Sequence, residues 1–281
     1  MGKGTLFLVG TPIGNLEDLT IRAARILSEA ELIAAEDTRR TMKLMNHLNL
    51  SKPLVSYHEH NRREAGQRLL SALLEGRSVA LVSDAGMPVV SDPGAELVAA
   101  AAAEGCPVTV IPGPCAASSA LALSGFDGSR YTFEGFLPRE GKPRRLALEA
   151  LKTEQRTIIF YEAPHRLLKT LKDLSDALGD RGCAVCNDIT KFHERVDRIT
   201  LSQAIALFEA QEPRGEYALV VKGAEPVEIS YDDVPVEDHL RRYLEQGMDK
   251  KEAVKRVARE RGVHKSEVYL VAMGLDDTAG Q

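Results

Sequence analysis

Short apolar runs alternate with helix-length amphipathic segments from the start of the chain, and this alternation limits it to an α/β fold. TLFLVG, ELIAAED, PLVSY, SVALVSDAG and PVTVIPGP read as five strands. Between them lie DLTIRAARILSEA, a helix from about Arg62 to Glu75, and the alanine-rich run AELVAAAAAEG. Runs that are apolar throughout are buried on both faces, and intervening helices make the connections right-handed parallel crossovers.

Near Gly125 the character changes. LSGFDGSRYTFEGFLPREGKPRR is turn-rich and partly basic, and a second α/β block follows it: RYTFEGF, a helix from Lys142 to Lys152, RTIIFYE, a helix from Pro164 to Leu178, CAVCNDI, VDRITL and EYALVVKG. VDRITL lies so close to its neighbour that antiparallel pairing is expected here. After Gly223 an acidic linker, EPVEISYDDVP, leads to three short helical patterns ending at Leu275. The predicted domains are residues 1–123, 124–225 and 226–281, the last a helical basic tail.

In an open parallel sheet, ligands bind beyond the carboxyl ends of the strands, and the unusual turns of this chain fall there. Gly10-Thr-Pro-Ile-Gly14-Asn15 follows the first strand, Glu36-Asp-Thr-Arg39 the second, and Pro112-Gly-Pro-Cys-Ala-Ala-Ser-Ser119 the fifth. Tyr161-Glu-Ala-Pro-His-Arg166 holds the same kind of place in the second block. SDAGMPVVSDPG, residues 83–94, follows the fourth strand with two Gly, two Pro and two Asp. It presents Asp84 to a ligand, while Asp92 is expected to cap the next helix with Pro93 in its first position.

GTPIGN is neither GxGxxG nor a P-loop, and Pro12 lacks the N–H a pyrophosphate cradle would use. Asp37 stands where a dinucleotide enzyme keeps a ribose-binding acid, so a nicotinamide dehydrogenase remains a weak alternative. The small residues from Cys115 to Ser119 let helix backbone approach an adenine or ribose closely. That favours an adenosine-type ligand without a mandatory phosphate, and S-adenosylmethionine (SAM) fits.

Composition excludes some classes. No apolar run approaches the roughly 20 residues that span a bilayer, and the N-terminus lacks the apolar core of a signal peptide, so a cytoplasmic protein is expected. Cys183 and Cys186 form a CxxC with no second cysteine pair or His at finger spacing. In a buried strand they point to opposite faces, which disfavours a metal or redox site, and no metal is expected. The net charge of −5 argues against nonspecific coating of nucleic acid but leaves room for a local basic patch.

GTPIGNLEDLT, AAEDTRRT, SYHEHN, SDAGMPVVSDPG, IPGPCAASSAL, FEGFLPR, YEAPHR, ITKFHE and RGEY together resemble the ribosomal RNA small-subunit methyltransferase I family, a branch of the tetrapyrrole methylases. The resemblance runs from about Leu6 to Gly223 and extends to the helical tail. Met87 stands where that family commonly has threonine, and ITKFH varies an LTK-type string. The resemblance implies two α/β domains of the class III SAM methyltransferase type, a SAM cleft between them, a short helical C-terminal segment and a homodimer. It implies methylation of the ribose 2′-hydroxyl of a cytidine in the decoding centre of 16S rRNA. Carried onto this sequence, the SAM contacts are Pro12, Asp84, Gly86, Met87, Val89, Ala116, Ala117, Tyr161, Pro164 and Ala218. A tetrapyrrole C-methyltransferase is the alternative, and an RNA-binding protein without catalysis a third reading.

A ribose hydroxyl is a poor nucleophile, so a nearby proton acceptor helps. Candidates are Glu36, Asp37, His58, Glu162 and Lys191, the last only if deprotonated; Glu36 and Asp37 could equally form an ion pair with Arg39. His58 and His60 lack a third metal ligand and read as a polar loop or RNA contact. Arg39 and the loop residues Arg139, Lys142, Arg144 and Arg145 are candidate phosphate contacts. So are Lys251, Lys255 and Arg259, which repeat every four residues along one helical face. Between Lys250 and Lys265, seven Lys or Arg stand against two Glu, a local charge of +5. With no Trp and 5% aromatic residues, base stacking is not expected to dominate RNA affinity.

Overall fold

A computed structural model describes residues 2–225, 231 and 233–277. Contacts divide the chain into one compact unit over residues 1–224 and a second over 225–281. The first carries two five-stranded sheets.

The first sheet is parallel throughout, with strands β1 (Leu6–Val9), β2 (Leu32–Ala35), β3 (Leu54–Ser56), β4 (Val79–Val82) and β5 (Val108–Ile111) in the order β3-β2-β4-β1-β5. Successive residues face opposite sides, and both sides are buried. Leu32, Ala34, Val79 and Leu81 enter one core, while Ile33, Ala35, Ala80 and Val82 enter the other. Each large apolar side chain so buried contributes roughly 1.5–3 kcal/mol. Helices α1 (Ile21–Glu29), α2 (Thr38–His47), α3 (Arg62–Leu74) and α4 (Ala95–Ala103) make the crossovers. Thr20 caps α1 by accepting from the Ala23 N–H at 3.0 Å.

One expected cap is wrong. Helix α4 begins at Ala95, and its N-cap is Gly94, not Asp92. Val89 (φ 73°), Ser91 (φ 68°) and Gly94 (φ 146°) all leave the right-handed regions, so the chain turns away before the helix starts. Gly94 is obligatory here: a Cβ would lie 2.7 Å from Val89 Cγ2 and 2.9 Å from Leu81 Cδ2.

α5 (Ala116–Ser124) ends at Gly125, beside the predicted boundary, but it packs on the second sheet: Ala117, Ala120 and Leu121 join Ile159, Ala184, Ala218 and Val220 in one core. That sheet comprises β6 (Tyr131–Phe136), β7 (Thr157–Glu162), β8 (Gly182–Asn187), β9 (Arg195–Thr200) and β10 (Tyr217–Val221), ordered β6-β7-β10-β8-β9. The expected antiparallel pairing is present between β8 and β9, and β10 also runs antiparallel to both its neighbours. Cys183 and Cys186 lie on β8 in different cores, so the two thiols cannot share a metal. Burial pushes them up to about 12 and about 11. Helices α6 (Gly141–Leu151), α7 (Pro164–Leu178) and α8 (Leu201–Ala210) cover this sheet. Thr200 ends β9 and opens α8 through a capping box with Gln203.

The second unit has three helices among its described residues, α9 (Val236–Glu245), α10 (Lys250–Arg261) and α11 (Lys265–Asp277). They share a core of Leu240, Val254, Val257, Val268 and Ala272. Part of the predicted acidic linker, residues 226–230 and 232, lies outside the described residues. Among the described residues no helix is long and apolar enough to cross a membrane.

Candidate active site

The turns after β1, β4 and β5 meet at one edge of the first sheet. Thr11 and Gly86 form a bridge, with N–H···O distances of 2.9 and 3.1 Å. A Cβ at Gly10 would lie 2.7 Å from both Gly113 Cα and Met87 Sδ, so only glycine admits this approach.

Beside these turns is a cavity of about 390 Å³, within the range of small-molecule sites. Asp84, Gly86 and Met87 line it from the loop after β4, and Ala116 from the start of α5. Tyr161 and Ala218 line it from the second sheet, and Pro164 from the start of α7. Three other predicted contacts, Pro12, Val89 and Ala117, are not on its wall; Ala117 instead donates its N–H to the Tyr161 hydroxyl at 2.9 Å. Tyr161 packs edge-on against Phe133 and Phe136, and Phe136 also lines the cavity. Burial pushes the Tyr161 phenol well above its ordinary value.

Most candidate proton acceptors are occupied elsewhere. Asp37 caps α2, accepting from the Arg39 N–H at 2.9 Å, and pairs with the Arg39 guanidinium at 2.7 Å. Those hydrogen bonds hold its carboxyl at about 2. This corrects its reading as a base: the ion pair with Arg39 is the role it plays. Burial acts to lower the Lys191 pKa, but its bonds to Asp188 and Glu216, both 2.7 Å, outweigh that and the net direction is up. Lys191 is therefore an ammonium and not a base. Glu162 is fully enclosed, receiving the Ala163 N–H and the Thr170 hydroxyl and pairing with Arg166 at 3.2 Å. Glu36 and His58 do not line the cavity. Burial, then the charge of Asp84, raises the Glu36 pKa, and His58 Nδ1 is buried without a hydrogen-bond partner among the described residues.

Among the predicted phosphate contacts, Arg144 is a second correction. It is 4% exposed on the inner face of α6, bonded to Asp173 (2.7 Å), the Thr170 hydroxyl (2.9 Å) and the Pro138 carbonyl (2.9 Å). It cannot reach RNA without breaking that cluster. Arg139, Lys142 and Arg145 are exposed around it, and Arg39 is exposed though held by Asp37. In the second unit Lys251, Lys255 and Arg259 share the exposed face of α10, opposite Val254, Val257 and Ala258.

Among the residues of the cavity wall not foreseen as part of a site are Asp92 and Arg40. Arg40 Nε lies 3.6 Å from Asp84 Oδ2. Burial, then the charges of Glu36 and Asp84, push the Asp92 carboxyl up to about 6. Its Asp-Pro-Gly context spelled a helix cap, which concealed it.

Two sheets joined through α5, with a cavity at the strand ends, define a tetrapyrrole-methylase type of protein. The family described as Tetrapyrrole (Corrin/Porphyrin) Methylases matches residues 5–205. Uroporphyrin-III-C-methyltransferase from Thermus thermophilus shares the fold at a TM-score of 0.57 and 24% identity, over 78% of this chain and 94% of that one. A cobalt precorrin-4 methyltransferase does so at 0.60 and 18%, over 78% and 94%. At the sequence level the chain is 50% identical to ribosomal RNA small subunit methyltransferase I of Halalkalibacterium halodurans, over 95% of this chain and 94% of that protein. It is 46% identical to the Synechocystis protein of the same name, over 97% and 99%. The chain belongs to the ribosomal RNA small subunit methyltransferase I family.

Proposed function

We propose that the protein is a SAM-dependent methyltransferase that methylates the ribose 2′-hydroxyl of a cytidine in the decoding centre of 16S rRNA. The observation that carries the reading is the likeness, across 95% of the chain, to a relative named for ribosomal RNA methylation. The cavity supports it. Small residues at Gly86, Ala116 and Ala163 leave room for a flat purine, and a Cβ at Gly86 would already lie 3.3 Å from Ile13 Cγ2. Carboxylates on the wall suit a ligand carrying a sulfonium and an ammonium, while Arg40 suits its carboxylate. Residues Asp84, Gly86, Met87, Ala116, Tyr161, Pro164 and Ala218 would hold it.

SAM supplies an electrophilic methyl group. The protein aligns the ribose oxygen with that carbon, excludes water and accepts a proton. Phe136 and Tyr161 give the cavity an apolar side. Exposed Lys251, Lys255 and Arg259 supply phosphate contacts, together with Arg139, Lys142 and Arg145. A homodimer acting on the small ribosomal subunit in the cytoplasm completes the reading, and light scattering of the purified protein measures the oligomer.

The test is mass mapping of ribose methylation after incubating small subunits, or their rRNA, with SAM and either wild type or Asp84→Ala. A new 2′-O-methyl group on the decoding-centre cytidine with wild type, reduced with the variant, is expected. Unmodified rRNA together with turnover of a tetrapyrrole would replace the reading by the C-methyltransferase one.

A further inference from the structure

Four acidic residues lie on the cavity wall: Asp84, Asp92, Glu162 and Glu216. Three are committed. Asp84 accepts from the Asp37 N–H and faces Arg40, Glu162 is locked by Ala163, Thr170 and Arg166, and Glu216 pairs with Lys191. Asp92 is different. Among the described residues no cation or backbone N–H holds it; the Ser83 hydroxyl beside it, which donates to the Gly86 carbonyl at 3.1 Å, acts to lower its pKa. The loop that carries it is shaped to aim it inward. Val89 and Ser91 both sit at positive φ, a costly choice for a β-branched valine, so Asp92 faces the cavity instead of capping α4.

We infer that Asp92 is the catalytic proton acceptor for the ribose hydroxyl, an inference that rests on the methyltransferase reading above. As the ribose oxygen bonds to the methyl carbon, the carbon–sulfur bond breaks and its electron pair stays on sulfur. The hydroxyl proton passes to the Asp92 carboxylate, which later releases it to water. A carboxyl with a pKa of about 6 is ionised at neutral pH yet basic enough to take the proton. The groups that set this value surround it: Glu36 from the end of β2, Asp84 from the end of β4 and Ser83 beside it, with Tyr161 facing it from β7. Arg40 and His58 act on the neighbouring acids, Arg40 on Asp84 and both on Glu36.

The experiment compares wild type, Asp92→Asn and Ser83→Ala with SAM and small subunits. It reads kcat against pH, SAM affinity by calorimetry and, without SAM, the melting temperature against pH. Wild type is expected to lose rate as pH falls through about 6, because the acceptor becomes protonated. Asp92→Asn loses about 10²–10⁴-fold in kcat and the acid limb, while SAM Kd stays within about threefold. Ser83→Ala moves the limb to higher pH, since the hydroxyl lowers the Asp92 pKa. Even if Asp92→Asn fails to fold, the Ser83→Ala limb decides. The inference is overturned if Asp92→Asn keeps its rate, if it loses SAM binding instead, or if the limb stays put in Ser83→Ala. Wild type that methylates no rRNA would count against the methyltransferase reading, whatever the SAM-free melting of the variants shows about the Asp92 titration.

Discussion

The Asp84 carboxylate accepts a hydrogen bond from the backbone N–H of Asp37 at 2.9 Å, tying the loop after β4 to the N-terminus of α2. The tie fixes one wall of the cavity against the helix that carries Arg40. Asp84→Ala is expected to destabilise the protein by about 2 kcal/mol, and Asp84→Asn, which keeps a neutral acceptor, by about 1 kcal/mol. Urea unfolding measures both. Equal midpoints for Ala and wild type would show that the tie carries no energy.

Gly94→Ala places a Cβ against Val89 and Leu81 at a φ of 146°. It is expected to cost about 2–3 kcal/mol and to weaken SAM binding, because the loop carrying Asp92 must move. Thermal unfolding and calorimetry on one preparation check the two effects together.

Asp92 links stability to pH. Its unfolded pKa is about 3.9 and its folded value about 6, so the folded state holds the proton longer. The resulting stabilisation is complete below about pH 4, is lost as pH rises through about 6, and is absent above. The full shift would amount to about 3 kcal/mol, which solvent access to the carboxyl reduces to about 1 kcal/mol. Asp92→Asn is therefore expected to melt about 2 °C above wild type at pH 8, and to gain nothing at pH 4. A variant that melts lower at pH 8 would contradict a strained, charged Asp92.

Arg144→Ala leaves Asp173 without its partner and opens the α6–α7 cluster. A loss of about 3 kcal/mol is expected, with RNA affinity unchanged at temperatures where the variant is folded. Replacing Lys251, Lys255 and Arg259 together by Ala should do the reverse. Stability is retained, and the slope of log affinity against log salt falls by about 2. A filter-binding titration across salt concentrations separates the two cases.

Much of the fold was legible because its signals are local. Pro164 starts α7 since its fixed φ suits a first helical position, and the apolar runs of β2 and β4 announced burial on both faces. The place of β10 in its sheet was not legible, since pairing across distant segments leaves no mark on neighbouring residues. In the site, the wall at Asp84, Gly86 and Tyr161 followed from turn chemistry at strand ends. Asp92 did not, because a valine gives no sign that it will adopt a left-handed conformation. Arg144 did carry a sign: it stands four and seven residues before Leu148 and Leu151, the inward stripe of α6.

The central position of β10 has a consequence for how the chain is made. β7 and β8 are joined only through residues 217–221, so the second sheet has no continuous hydrogen-bonded centre until that segment leaves the ribosome. The first sheet needs nothing beyond residue 111 and can close long before. The cavity thus gains the last part of its wall late in synthesis, and a nascent chain stopped before Tyr217 would carry the β4 loop and Asp92 without the Tyr217 and Ala218 side of the cavity.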